Sequence, residues 1–199
     1  MNLDEYRILF LVVTLGLALV AAYPALVMVV PFTGGSEEFS EFWLLGPGHT
    51  AEDYPFSVGA GEMYSVFVCL GNHMGSSEYY RVFVKFRNST QSLPDIDGSV
   101  PSSLSPLYEF RFFVADGEVW ESRLTFGFED VALEGDRVVV GDIVFDGVVF
   151  GVDAIASWDS EFGGFYFQLF FELWRFDLAS HVFRFHNRFV GLWLNMTVS

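Results

Sequence analysis

The amino-acid sequence predicts an all-β domain, folded as an antiparallel sandwich, behind one N-terminal membrane-spanning helix. Three observations carry that expectation: an apolar run near the start that holds no charge, short segments that alternate apolar and polar residues, and a composition dominated by phenylalanine. The chain has 199 residues, enough for one domain plus an anchor. Hydrophobic residues make up 52% and aromatics 19%, with 24 Phe, which is too apolar for a disordered chain. A core this rich in Phe suits a pleated sheet, where aromatic rings pack on one face.

The first element is the anchor. Residues 8–30 form an unbroken uncharged run. As a helix it would be roughly 35 Å long, enough for a hydrocarbon layer of roughly 30 Å. Pro31 and Gly34-Gly35 end it. Arg7 precedes it, and no Lys or Arg occurs from Ile8 to Tyr80, whereas Glu37, Glu38 and Glu41 follow it. The positive-inside rule then leaves residues 1–7 in the cytoplasm and exports the rest. A cleaved signal peptide, cut after Val20-Ala21-Ala22, is the competing reading. The run continues well past that point, which favours a retained anchor, and both readings export the domain. Two sequons, at Asn88 and Asn195, fit an exported glycoprotein.

Residues 31–40 read as a polar linker and residues 41–199 as one extracytoplasmic domain. Tyr80, Val82, Val84 and Phe86 share one strand face, and Arg81, Phe83, Lys85 and Arg87 take the other. Tyr108, Phe110, Phe112 and Val114 repeat the pattern. Asp116-Gly117 marks a hairpin that returns through Trp120, Leu124, Phe126 and Phe128. Further strands are expected at 63–70, 138–140, 143–145, 165–174, 182–186 and 189–194. A tight turn at Asn187-Arg188 joins the last two. Such runs, separated by Gly, Asp, Asn and Pro, point to an immunoglobulin-like sandwich rather than βαβ units. A closed barrel has the same periodicity. Residues 91–106 form the longest loop and are expected to be the most mobile part.

Charge and motifs limit the function. The formal net charge is −16, so the domain should repel nucleic acid, whose phosphates are bound through Lys and Arg. Cys69 is the one cysteine, which excludes an internal disulfide and a multi-cysteine zinc site. Its strand context reads as a packed thiol rather than a nucleophile. His49, His73, His181 and His186 show no metal-site spacing, and no nucleophile elbow, P-loop or dinucleotide fingerprint is present. No catalytic residues and no cofactor are therefore expected. Asp95 and Asp97 resemble part of a calcium loop without its distal Glu, and Asp142 and Asp146 lie in a Gly-rich, Val-rich segment, so these four are weak calcium candidates and turn residues otherwise. Phe67, Phe83, Trp158, Trp174 and Trp193 are candidate surface aromatics, the kind of platform on which sandwich modules hold sugars or partner proteins. A second apolar layer, packed against the long loop or against residues 138–149, is the favoured reading of them.

Two stretches carry a family resemblance. The first is Glu41-Phe42-Trp43-Leu44-Leu45-Gly46-Pro47-Gly48-His49-Thr50-Ala51-Glu52-Asp53-Tyr54-Pro55, followed by Gly59-Ala60-Gly61-Glu62. The second is Phe171-Glu172-Leu173-Trp174 with Gly191-Leu192-Trp193-Leu194-Asn195-Met196-Thr197. They resemble the opening and the end of the archaeal family known as domain of unknown function 1616. That resemblance implies an archaeal envelope protein with an outward-facing β-sandwich and brings no catalytic residues with it. Many members carry several membrane helices ahead of the domain, whereas this chain has room for one. The expected function is a membrane-anchored, non-catalytic interaction or structural domain, meeting other envelope proteins or itself. A ligand-binding ectodomain for carbohydrate or calcium is the alternative.

Overall fold

The computed structural model describes residues 6–7, 10–18, 20–21 and 37–198. The chain divides into two compact units, Met1–Glu38 and Phe39–Ser199. In the first, the described residues 6–7, 10–18 and 20–21 are helical. No helix among the described residues is long and apolar enough to cross a membrane. About half of the expected span over 8–30, at 8, 9, 19 and 22–30, lies outside them.

The second unit is built from ten strands. They are β1 (Phe39–Leu45), β2 (Ser57–Gly59), β3 (Met63–His73), β4 (Glu78–Asn88), β5 (Tyr108–Val114), β6 (Val119–Glu134), β7 (Arg137–Phe145), β8 (Val148–Ser157), β9 (Tyr166–Asp177) and β10 (Val182–Thr197). One sheet has the order β1-β3-β6-β7-β8 and the other β2-β10-β9-β4-β5. Every pairing is antiparallel except β2 with β10. Ten strands exceed the seven to nine of immunoglobulin domains, so the likeness to them stops at the two-sheet architecture.

Alternation places the core. Tyr80, Val82 and Val84 of β4 are fully buried, as are Leu124 and Phe126 of β6 and Leu169, Phe171 and Leu173 of β9. Rings meet across the two sheets at Phe86–Phe128, 5.7 Å, and Phe112–Trp120, 3.5 Å. Phe110 and Phe112 point the same way but stay half-buried, because β5 is the edge of its sheet.

Three local features depart from expectation. The Asn187 region is not a turn. Residues 182–197 form one strand along β9, and the register steps from Phe185↔Trp174 to Arg188↔Leu173. His186 and Asn187 bulge out there, with Asn187 at φ 52°. The tolerance of Asn for positive φ serves a bulge because twelve-residue β9 is long enough to pair both halves. A strand not expected, β8, follows β7 through Asp146-Gly147. Both turn residues have positive φ, 48° and 82°, as a type I′ hairpin requires. The loop 91–106 is fastened down rather than left free, through bonds from Ser102 and Gln91 to side chains of β4 and β9.

Candidate functional site

The outer face of the β2-β10-β9-β4-β5 sheet is the most unusual surface of the domain. Its residues are those opposite the core positions: Tyr79, Arg81, Phe83, Lys85 and Arg87 on β4, with partners on β9, β10 and β5. Ten Lys and Arg minus Arg7 leaves nine in the second unit. Four of these, Arg81, Lys85, Arg87 and Arg111, lie on this face, whereas Arg175, Arg184 and Arg188 belong to the same sheet but pair in register with core-side positions.

The face has a covered half and an open half. In the covered half, Lys85 Nζ lies 2.8 Å from Glu172 Oε2, and Lys85 is nearly and Glu172 fully buried. The loop 91–106 closes over this pair. Lys85 donates to the Ser102 carbonyl at 2.8 Å, and the Ser102 N–H donates to Glu172 Oε1 at 2.8 Å. Trp174 Nε1 gives Glu172 a further bond at 3.3 Å. Arg87 holds Gln168 Oε1 at 2.7 Å and also bonds the Gln91 carbonyl. Each buried charge therefore has an opposite charge or several hydrogen bonds, which its desolvation demands.

The open half is aromatic. Tyr79 stacks on Phe113 at 4.2 Å and touches Phe183 at 5.0 Å, and Phe176 meets Phe183 at 5.3 Å. Phe83 meets Trp174 edge-on at 5.4 Å, and Trp174 lies 6.0 Å from Phe185. Phe113 is 73% exposed. At the centre the Arg81 guanidinium stands over Phe183 at 4.0 Å and Phe83 at 5.3 Å. Its Nε is buried without a hydrogen-bond partner, and Glu109 is 3.8 Å away. Burial first, and then the facing Arg111, lower the Arg81 pKa, while Glu109 opposes the shift. Trp, Tyr and Arg packed around a half-desolvated centre are the residue types that dominate binding hot spots.

A second aromatic site is a cleft of about 500 Å³ bordered by Phe56, Phe162, Tyr166 and Trp193, with Asp159 and Ser89 at its rim. Phe162 is 70% and Trp193 43% exposed.

The structure disperses the five candidate aromatics. Phe83 and Trp174 belong to the open face and Trp193 to the cleft. Trp158 packs edge-on against Phe165 at 5.1 Å, and Phe67 lies beneath the His49 ring at 3.7 Å. The aspartates do not converge. Asp95 caps Gly98 N–H at 2.9 Å in its own loop, and Asp97 is exposed beside it. Asp142 pairs with Gly151 inside the β7–β8 ladder. Asp146 accepts from Thr125 N–H and Oγ1 and from Tyr108 OH. Among the described residues no three His, Cys, Asp or Glu gather where they could hold a metal ion.

Asn88 Oδ1 accepts from Thr90 N–H, Thr90 Oγ1 and Gln91 N–H, and its Nδ2 donates to Ile155 O at 2.8 Å. Asn195 is half-buried and its Oδ1 accepts from Phe165 N–H. The Cys69 thiol donates to Glu121 and is pushed up to about 12, by burial first and then by that carboxylate, so it makes a poor nucleophile.

Sequence reasoning placed Arg81 on one strand face with Phe83 and Lys85 but missed Glu172, Tyr79 and Phe113 as its neighbours there. The signal was present in the alternation of β4 and β9, but only the pairing of β4 with both β5 and β9 brings the four together.

The sequence model of the family described as domain of unknown function (DUF1616) matches residues 33–153. The match includes the first of the two stretches quoted above and stops short of the second. Among solved structures, the crystal structure of β-glucosidase from Listeria innocua in complex with gluconolactone is similar at 12% identity and a TM-score of 0.28. That similarity covers 79% of this chain and only 16% of the other, and at this level it carries no argument. No curated protein matches the chain.

Proposed function

The chain belongs to the DUF1616 family, and from that premise we propose that it is a single-pass, membrane-anchored protein of an archaeal cell envelope whose β-sandwich faces outward as a non-catalytic interaction module. The anchor rests on the uncharged run 8–30, and its direction on Arg7 and the basic-free flank that follows. The interaction role rests on one observation above the others: the open aromatic face around Arg81. Phe113 stands 73% exposed beside rings that are half-buried, and apolar surface of this kind left facing water supports a contact role. Its rings are braced by strand pairing and by stacking on one another, so little side-chain freedom is lost when a partner settles there.

Photo-crosslinking from position 174 in intact cells tests this reading. A discrete adduct that vanishes when Arg81→Glu is introduced supports it. The absence of any adduct, with the domain folded and outside, refutes it.

A carbohydrate-binding ectodomain is the second reading, favoured by the cleft at Trp193, where rings border an opening with Asp159 at its rim. A glycan panel tests it. A thermal midpoint raised by one glycan, and not raised after Trp193→Ala, supports it, and a midpoint unmoved throughout removes it.

A further inference from the structure

We propose that two copies of this chain pair edge to edge through β5, in antiparallel register about Phe110, so that the β2-β10-β9-β4-β5 sheets of both become one continuous sheet. Three of the four sheet edges are guarded, and the fourth is not. An unguarded edge presents free backbone donors and acceptors to another strand. β2 is three residues long, with its Gly59 N–H bonded to the Tyr64 hydroxyl. The Tyr54 hydroxyl bonds the Leu44 carbonyl of β1. β8 is interrupted at Asp153, which sits at φ 44°, and Asn88 bonds its Ile155 carbonyl. By contrast, β5 is seven residues of regular strand without Pro, Gly, Lys or positive φ. Among the described residues, no hydrogen bond from outside β4 reaches its backbone between Glu109 and Phe113.

The sequence of β5, Tyr108-Glu109-Phe110-Arg111-Phe112-Phe113-Val114, complements itself. Glu109 and Arg111 stand one residue to either side of Phe110 and share the outer face. When Phe110 opposes Phe110 of a second copy, Glu109 faces the other copy's Arg111, and the reverse holds as well. Such a contact is isologous and closes on itself. Opposite charges placed directly across a ladder stabilise it, and like charges there destabilise it. In the same register Tyr108 faces the other copy's Phe112. Both rings point to the core side yet remain half-buried, and pairing supplies the covering that an edge strand lacks.

The lone copy also shows a conflict that pairing relieves. Arg81 and Arg111 oppose each other across β4 and β5, with Glu109 serving both, at 3.8 Å from Arg81 and 2.5 Å from Arg111. A second copy brings another Glu109 to Arg111 and frees the first for Arg81. The two-fold axis runs perpendicular to the sheet, so both aromatic faces end on the same side. The inference does not depend on what partner covers those faces.

Sedimentation of the full chain in mild detergent tests the proposal. The unmodified chain should dimerise reversibly. Glu109→Arg places arginines opposite arginines and should raise the dimer dissociation constant about tenfold or more. Glu109→Arg combined with Arg111→Glu restores the complement and should restore the dimer. An equimolar mixture of the two single reversals should form a mixed dimer. Register is read separately by oxidation: Glu109→Cys mixed with Arg111→Cys should cross-link, and either alone should not. A chain that stays monomeric, a dimer indifferent to Glu109→Arg, or cross-linking by Glu109→Cys alone would each overturn the proposal.

Discussion

Lys85→Met is the most informative single change in the covered half of the face. The substitution keeps the length of the side chain and removes its charge. Glu172 then loses the Lys85 ammonium at 2.8 Å and retains only the Ser102 N–H and Trp174 Nε1. The Ser102 carbonyl loses its bond as well. Breaking a buried pair from one side costs roughly 3–5 kcal/mol, because the remaining charge stays desolvated and uncompensated. For a domain of this size that should lower the thermal midpoint by about 10 °C. Replacing both partners, Lys85→Met with Glu172→Leu, should recover most of the loss, since two apolar groups leave no orphaned charge. Urea unfolding of the single and double variants provides the cycle. Limited proteolysis should show cleavage within 91–106 in the single variant, as the loop is held through this pair. A single-variant loss below about 1 kcal/mol, with no coupling to Glu172, would mean that the pair is hydrated and the reasoning about the loop is wrong.

Other consequences are more local. Phe126→Ala should cost roughly 3–5 kcal/mol, since the ring is fully buried, whereas Phe113→Ala on the open face should cost less than about 1 kcal/mol; equal losses in denaturant would mean that the faces are misassigned. His186 bonds Ser40 Oγ at 3.1 Å and is lowered to about 4, by burial first and then by Arg175 and Arg188. The unfolded chain, with its His near pH 6.5, takes up that proton before the folded one does, so stability should fall as pH drops from about 6.5 to about 4, by up to about 3 kcal/mol. In His186→Gln that slope should be smaller, and an unchanged slope would place the titrating group elsewhere. Deleting residues 190–199 removes Leu192, Leu194 and Met196 from the core and strips one edge of β9, so the truncated chain should unfold or aggregate; an unchanged thermal midpoint would contradict the role given to β10.

The two-sheet fold was legible because its strands alternate cleanly. Tyr80 to Phe86 and Leu124 to Phe128 state their buried faces in the sequence itself. What was not legible follows from long-range pairing. Lys85 reads as an exposed charge on a wet face, and only the loop folded back from residue 102 makes it a buried one. Asn187 reads as a turn because the length of its partner strand cannot be seen locally. Asp146 reads as an acidic ligand candidate when its backbone is the first half of a type I′ turn. Phe83 and Trp174, separated by 91 positions, were singled out without any sign that they touch. The stretch 171–174 and 191–197 resembled the family's end, yet the family match closes at residue 153.

Thiol labelling in intact cells addresses the central claim most directly, namely that the domain faces outward and that a partner covers its aromatic face. Cys69 is buried and poorly ionised, so the native thiol is silent. Two reporters are needed: Val149→Cys, an exposed position on β8 of the opposite sheet, and Phe113→Cys on the aromatic face. With a membrane-impermeant maleimide, Val149→Cys should label in intact cells as readily as in the purified protein. Phe113→Cys should label readily when purified and be protected in cells. Equal labelling of Phe113→Cys in both settings would show a face that nothing covers, and Val149→Cys that labels only after lysis would show a domain on the wrong side of the membrane.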